Sequence, residues 1–448
     1  MQEGVTSGGH MLFGWSMLWV ASILFGVTYL VIMSEKINRA IAALLGAGLM
    51  ILTGVLNQEM AIRGVDFNVL GLLTGMMVLV AITRKTGVFQ YVAIWSAKKV
   101  NARPMGILFM LSAVTAVFSA FLDNVTTVLL IVPVTLLITE ELAIDPYPIL
   151  AAEIFSSNIG GTATLIGDPP NIMIGSAANL SFNDFLANVA PIIPLIFLLT
   201  VVPIAFVWRK RLVTTEEHRR RVLEFREGEA ISDPRLLKKC LFVLSLVILG
   251  FLFDRAFHLE PATVAMFGAA LLLLLANVGR DAEEQSREVH EAFAEAEWVT
   301  LFFFVGLFIV VKGVQHAGLL DMLAQGVLDV TKGSLHVTSY AVLWVSAIAS
   351  AIVDNIPFVA AMIPVIQDLG HALGGPQNLR IVWWSLSLGA CLGGNGTLIG
   401  ASANVVVAGF SERAGHPIRF IPFLKVSVVA MLTEVAIANA YLWLRFLH

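Results

Sequence analysis

The 448-residue chain is poor in charge and in cysteine. Asp, Glu, Lys and Arg make up 13% of it, about half the share in an ordinary soluble domain, while 58% is hydrophobic and the mean hydropathy is +0.84. So little polar surface cannot cover a water-soluble core of this length, which excludes a soluble enzyme. Two cysteines, Cys240 and Cys391, rule out a disulfide framework or a four-thiolate zinc centre. Basic excess is also missing: a net charge of −4 and a pI near 6.1 exclude the clustered Lys and Arg that hold nucleic acid. No P-loop pattern is present to drive a nucleotide-powered pump. No His-x-x-x-His or Glu-x-x-His motif lies in the apolar spans to arm an intramembrane metalloenzyme, so no enzyme and no cofactor are expected.

The charge that exists is concentrated. Residues 209–239 hold ten Lys/Arg and six Asp/Glu, and residues 278–297 hold two basic and seven acidic residues. The remainder falls into apolar runs near the roughly 20 residues that cross a bilayer: 11–33, 38–56, 67–83, 148–178, 190–208, 240–254, 261–277, 298–312, 381–409 and 420–444, with shorter pieces at 87–97, 104–139 and 337–368. In lipid these read as helices, because an open strand leaves its backbone unsatisfied. The expected fold is therefore an all-α polytopic membrane protein with about 10–12 membrane segments. The first run lacks a basic flank and a small-residue cleavage pattern, so it reads as a retained helix and not a signal peptide. Short loops rich in Lys and Arg prefer the cytoplasm. With 209–239 cytoplasmic, Lys36, Arg39, Arg84, Lys85, Lys98, Lys99, Arg103, Arg413 and Arg419 fall on the same side, and both termini lie outside. This is the pattern of a multi-pass protein of a cell's inner membrane.

The chain repeats itself. SAFLDNVTTVLLIVP at 119–133 recurs as SAIVDNIPFVAAMIP at 350–364, and the same offset carries Gly75 onto Gly306 and Gly87 onto Gly318. GGTATLIGDPPN at 160–171 recurs as GGNGTLIGASAN at 393–404. The charged linker 209–239 separates a first repeat, 1–208, from a second, 240–448. An odd number of passes between equivalent segments makes the two repeats inverted, an arrangement that in secondary transporters flanks a midplane site.

Candidate chemistry sits where helices cannot run on. Gly160, Gly161, Gly167, Pro169 and Pro170 interrupt the first copy, and a broken helix survives at membrane depth only when buried or lining a polar cavity. Freed carbonyls, half-helix ends and the side chains of Ser156, Ser157, Asn158, Thr162, Thr164 and Asn171 then supply oxygen ligands and N–H groups. The second copy offers Ser387, Gly393, Gly394, Asn395, Thr397, Ser402 and Asn404. Hard oxygen donors suit a small cation such as sodium. Close packing of small residues is the competing reading, weakened by the matched Asn and Thr in both copies.

The second constellation is Asp123-Asn124 with Asp354-Asn355. A carboxylate inside an apolar segment marks an ion path or proton relay by default, and the stretch 104–139 reads as a re-entrant hairpin with the Asp-Asn pair at its tip. Helix capping is the plainer role for these residues and is compatible with ion binding. Glu153 and Asp168 are further proton-carrier candidates; Ala401 stands where the second copy matches Asp168. Glu434 has no partner visible in the sequence.

FLDNVTTVLLIVPV, EIFSSNIGGTATLIGDPPN, SAIVDNIPF and GNGTLIGASANVVVAG resemble the signatures of the ion transporter superfamily, in its arsenite permease and sodium/proton antiporter branch, which also holds the melanosomal P protein. The resemblance implies two inverted repeats, each with a re-entrant hairpin and a broken transmembrane helix, elevator-like alternating access and frequent assembly as a homodimer. Members similar to this chain move sodium against protons, arsenite or antimonite, or organic and inorganic anions. The dicarboxylate branch carries Ser-Asn-Thr at its tips, where this chain has Leu-Asp-Asn and Val-Asp-Asn. Two acidic tips favour a cation coupled to protons, with arsenite efflux and anion transport as alternatives.

Overall fold

The structure is a computed structural model that describes residues 15–34, 36–370 and 372–448. Residues 11–14 of the first apolar run lie outside that set. The regular elements of the described residues are helices. Seven of them are at least 18 residues long and apolar enough to cross a bilayer, and four shorter apolar helices accompany them. Exposed Leu45, Leu52, Phe206, Phe267 and Leu274 present the hydrocarbon surface that lipid covers. The chain is an all-α polytopic membrane protein.

Helix order repeats along the chain. Phe67–Arg84, Val88–Lys99, Pro104–Phe121, Asn124–Glu141, Tyr147–Thr162 and Pro169–Ala178 are followed later by Trp298–His316, Leu319–Thr331, Leu335–Ile352, Asn355–Leu369, Pro376–Gly393 and Ser402–Arg413 in the same order. Gly87 (φ 78°) and Gly318 (φ 85°) open the equivalent second helices in the left-handed region, which costs glycine nothing. At Gly87 a side chain would also meet the Ala230 carbonyl oxygen at 1.8 Å.

The interruptions of the apolar runs fall where the sequence places them, at the Asp-Asn pairs and the glycine-rich segments. The run 104–139 divides into Pro104–Phe121 and Asn124–Glu141, and 337–368 into Leu335–Ile352 and Asn355–Leu369. Each pair is a helical hairpin with a two-residue tip ending in aspartate. The run 148–178 breaks after Thr162 and resumes at Pro169, and 381–409 breaks after Gly393 and resumes at Ser402. Asp233 caps a helix that starts at Pro234, so that helix begins inside the charged interval 209–239. The run 298–312 continues as helix to His316.

Packing interlocks the halves. A Cβ on Gly75 would strike the Ala265 backbone at 2.6 Å, and one on Gly306 the Ala43 backbone at 2.6 Å. Phe67–Arg84 thus lies on Pro261–Asn277, and Trp298–His316 on Arg39–Leu52, each helix meeting one from the other half. Small residues permit such backbone contact in lipid, where no hydrophobic drive exists between helices. Gly160 against Ala116 and Gly393 against Ala347 do the same between each hairpin and its broken helix.

Both charged segments gather on one face. Lys98 Nζ reaches Glu227 Oε2 at 2.6 Å, and Lys85 Nζ reaches Glu288 and Glu291 at 3.3 and 2.8 Å. The hydrogen bond from Lys98 holds the Glu227 carboxyl below the ordinary carboxylate range.

Candidate functional site

Asp and Asn start helices well because their side chains accept orphaned N–H groups. Asp123 accepts from Thr126 N at 2.9 Å and from Thr126 Oγ1, and Asp354 accepts from Ile356 N at 3.1 Å. Both aspartates therefore cap the return helix of their hairpin. Ser119 Oγ donates to Ser157 O and Ser350 Oγ to Ala390 O, each at 2.6 Å. Thr164 Oγ1 donates to Ala120 O, and Thr397 Oγ1 to Ala351 O at 2.5 Å. Every hairpin tip is thus fastened to its own broken helix by matched hydroxyls. Thr164 and Thr397, with Gly160, Gly161, Gly393 and Gly394, shape the breaks.

The carbonyls freed at the breaks are taken up by asparagines of the second half-helices. Asn171 Nδ2 donates to Gly161 O, Thr162 O and Thr164 O at 3.4, 3.1 and 2.9 Å. Asn404 Nδ2 donates to Gly394 O at 2.8 Å and Thr397 O at 2.9 Å. With their nitrogens spent, both asparagines turn their oxygens to the other half. Asn171 Oδ1 accepts from Ser387 Oγ at 2.6 Å. Asn404 Oδ1 accepts from Asn158 Nδ2 at 2.9 Å, and the same nitrogen donates to Asn395 Oδ1 at 2.9 Å. Asn158 Oδ1 accepts from Asn124 Nδ2 at 3.3 Å, and Ser157 Oγ donates to Asn124 O at 3.1 Å. A buried chain of amides joins the first hairpin tip to both breaks.

Beside this chain a cleft brings together Arg39, Asp123, Asn124, Asp168, Glu297, Thr300, Asn355 and Ser402. Asn355 Nδ2 faces both oxygens of buried Asp168 at 3.4 and 3.3 Å, so the second hairpin tip touches the first half's break. Asp354 enters through Arg39, whose Nη1 lies 3.2 Å from Asp354 Oδ2. Two expected residues stand apart. Ser156 Oγ donates to Ala152 O within its own helix. Glu153 is fully buried against Thr135 Oγ1 at 2.6 Å, and no protein donor among the described residues reaches its Oε2.

The family model described as a citrate transporter (CitMHS) matches residues 29–389. The chain belongs to that family, within the ion transporter superfamily. An uncharacterized transporter of Mycobacterium tuberculosis is 43% identical over 434 residues, 95% of this chain and 98% of that one. The 46 kDa membrane protein of Mycobacterium leprae is 41% identical, covering 96% and 99%. Human P protein is 32% identical over 94% of this chain but only 59% of its own length. The crystal structure of the Alcanivorax borkumensis YdaH transporter aligns with a TM-score of 0.56 at 15% identity, covering 96% and 97% of the two chains. That likeness is one of fold.

Three residues of this candidate site escape a sequence reading. Arg39 looks there like a loop charge beside Lys36, yet it reaches the second hairpin tip. Glu297 looks like the end of an acidic segment, yet it lines the cleft and accepts from Thr300 Oγ1 at 3.0 Å. Glu434, without a visible partner in the sequence, accepts from Asn395 Nδ2 at 2.9 Å and Thr200 Oγ1 at 3.1 Å.

Proposed function

We propose that this secondary transporter exchanges a small monovalent cation, sodium fitting best, for protons by elevator-like alternating access. The observation that carries this reading is the charge of the cleft. Asp123, Asp168 and Glu297 line it with Arg39, and Arg39 also pairs with Asp354 beside it. Four carboxyl groups against one guanidinium leave a deficit that cations or protons fill, because uncompensated carboxylates at membrane depth are costly. Oxygen ligands from Asn, Ser and Thr suit a hard ion. Asp123 and Asp354 are the carriers in this reading, with Asp168 and Glu153 as further proton sites. The two halves act as inverted repeats about the amide chain, 209–239 faces the cytoplasm of a cell's inner membrane, and the homodimer is the working assembly.

The family's description as citrate transporters, together with Arg39, favours a second reading in which the cargo is an organic anion. Arsenite, a neutral trihydroxide that amides and hydroxyls can bind, is a third. Flux into liposomes carrying the purified chain, with sodium, arsenite and citrate compared under an imposed pH gradient, separates them. Sodium-driven proton movement supports the proposal; citrate or arsenite flux without it refutes it.

A further inference from the structure

Arg39 is the first residue of Arg39–Leu52, where Asn38 Oδ1 accepts from Ala40 N at 2.9 Å. That helix packs through Ala43 on Gly306 of Trp298–His316, so the guanidinium is anchored outside the hairpin it touches. Nη1 pairs with Asp354 Oδ2 at 3.2 Å and donates to Ser402 Oγ at 2.5 Å, while Nη2 donates to Thr300 Oγ1 at 3.3 Å. Ser402 Oγ itself donates to Asp354 Oδ2 at 2.7 Å. The guanidinium carbon stands 5.1 Å from the centre of the Phe303 ring, within cation–π range.

One carboxylate oxygen and two hydroxyl oxygens converge on this guanidinium, and they are also the donors a hard monovalent cation takes. The corresponding tip is different. Asp123 accepts from Thr126, and no basic side chain among the described residues pairs with it; Pro261 opens the helix that corresponds to Arg39–Leu52. Among the described residues, one tip aspartate has a direct ion pair with a guanidinium and the other has none.

We infer, resting on the cation reading above, that Arg39 is the resident cation of the Asp354 site and that the transported cation binds there only by displacing it. Both cannot occupy Asp354 Oδ2 and Ser402 Oγ at once, since each needs the same lone pairs and like charges repel at that separation. Arg39 therefore sets the site's affinity in this conformation. Movement of the hairpin away from Arg39–Leu52 frees the carboxylate for the ion, and return of the hairpin expels it.

Sodium binding by the purified full-length chain, measured by calorimetry, tests this directly. Arg39→Gln removes the competitor, so sodium binds about tenfold more tightly, the size of shift that loss of one close like charge produces. Arg39→Lys keeps the charge but cannot bridge Asp354, Ser402 and Thr300 together, so its affinity falls between the two. Should Arg39→Gln fail to fold, the Lys variant alone carries the test. Equal or weaker sodium binding in the folded variants overturns the role of Arg39 while leaving the cation reading in place. Absence of sodium binding by the wild-type chain overturns both.

Discussion

Asn158 donates to Asn404 Oδ1 across the two halves of the chain, at 2.9 Å and fully buried at both ends. Its nitrogen also serves Asn395, so one amide holds both sides of the second break. Because Asn404 spends its own nitrogen on backbone carbonyls, its oxygen can only accept, and the orientation of Asn158 follows. That leaves Asn158 Oδ1 turned to the first hairpin tip.

Asn158→Ala therefore strands two buried acceptors, Asn395 Oδ1 and Asn404 Oδ1, each loss costing about 1–3 kcal/mol. The expected outcome is a lowered melting temperature together with a half-saturating sodium concentration raised about tenfold, a 1.4 kcal/mol effect. Thermal melting and liposome flux on the same preparation check both.

Asp123→Asn and Asp354→Asn should each abolish proton-coupled flux and leave the fold intact. Asparagine caps a helix as well as aspartate does, so the return helices keep their starts while the charge is lost. Melting near that of the wild type with no coupled flux is the expected pair of results. Wild-type flux in both variants removes the carrier role.

Glu434 fixes the far end of the amide chain as an acceptor for Asn395 Nδ2 and Thr200 Oγ1. Glu434→Gln can keep both contacts, offering its oxygen to Asn395 and its nitrogen to the Thr200 hydroxyl. It should preserve sodium affinity within about twofold, well under 1 kcal/mol. Glu434→Ala leaves Asn395 free to rotate and should weaken affinity about tenfold. A Gln variant as impaired as the Ala variant points instead to a proton on Glu434.

The charged connection between the halves answers to acid. The Glu227 carboxyl, bonded to Lys98, titrates below its ordinary value, so its contribution is fully present above about pH 4.3, the unperturbed glutamate value. It is lost as pH falls through the lower folded value. Proteolytic nicking within 209–233 should therefore stay constant from neutral pH down to that point and rise below it; Glu227→Gln should be nicked faster already at neutral pH.

Much of this architecture is legible in sequence because membrane depth makes exceptions conspicuous. Gly160, Gly161, Pro169 and Pro170 cannot sit in a continuous helix, and an Asp-Asn pair flanked by apolar residues stands out twice at a constant offset. Arg39, Glu297 and Glu434 are illegible for the opposite reason. Arg39 and Glu297 adjoin charged loops, where a topology role accounts for them, and their distances to Asp354 and Asp123 depend on how the halves interlock at Gly75 and Gly306. Glu434 meets Asn395 and Thr200, residues 39 and 234 positions away, and no local pattern encodes either contact. Ser156 differs in the other direction: its neighbours suggest a ligand, and helix geometry commits its hydroxyl proton to Ala152 O.

The proposed exchange of a cation for protons at the carboxyl-rich cleft couples sodium to proton movement. Proton movement into and out of liposomes containing the purified chain, followed with a pH-sensitive dye as sodium is added outside, tests it most directly. The expected result is sodium-dependent proton flux that saturates and disappears in Asp123→Asn and Asp354→Asn. Proton flux indifferent to sodium, or citrate or arsenite transport that persists in both variants, would contradict it.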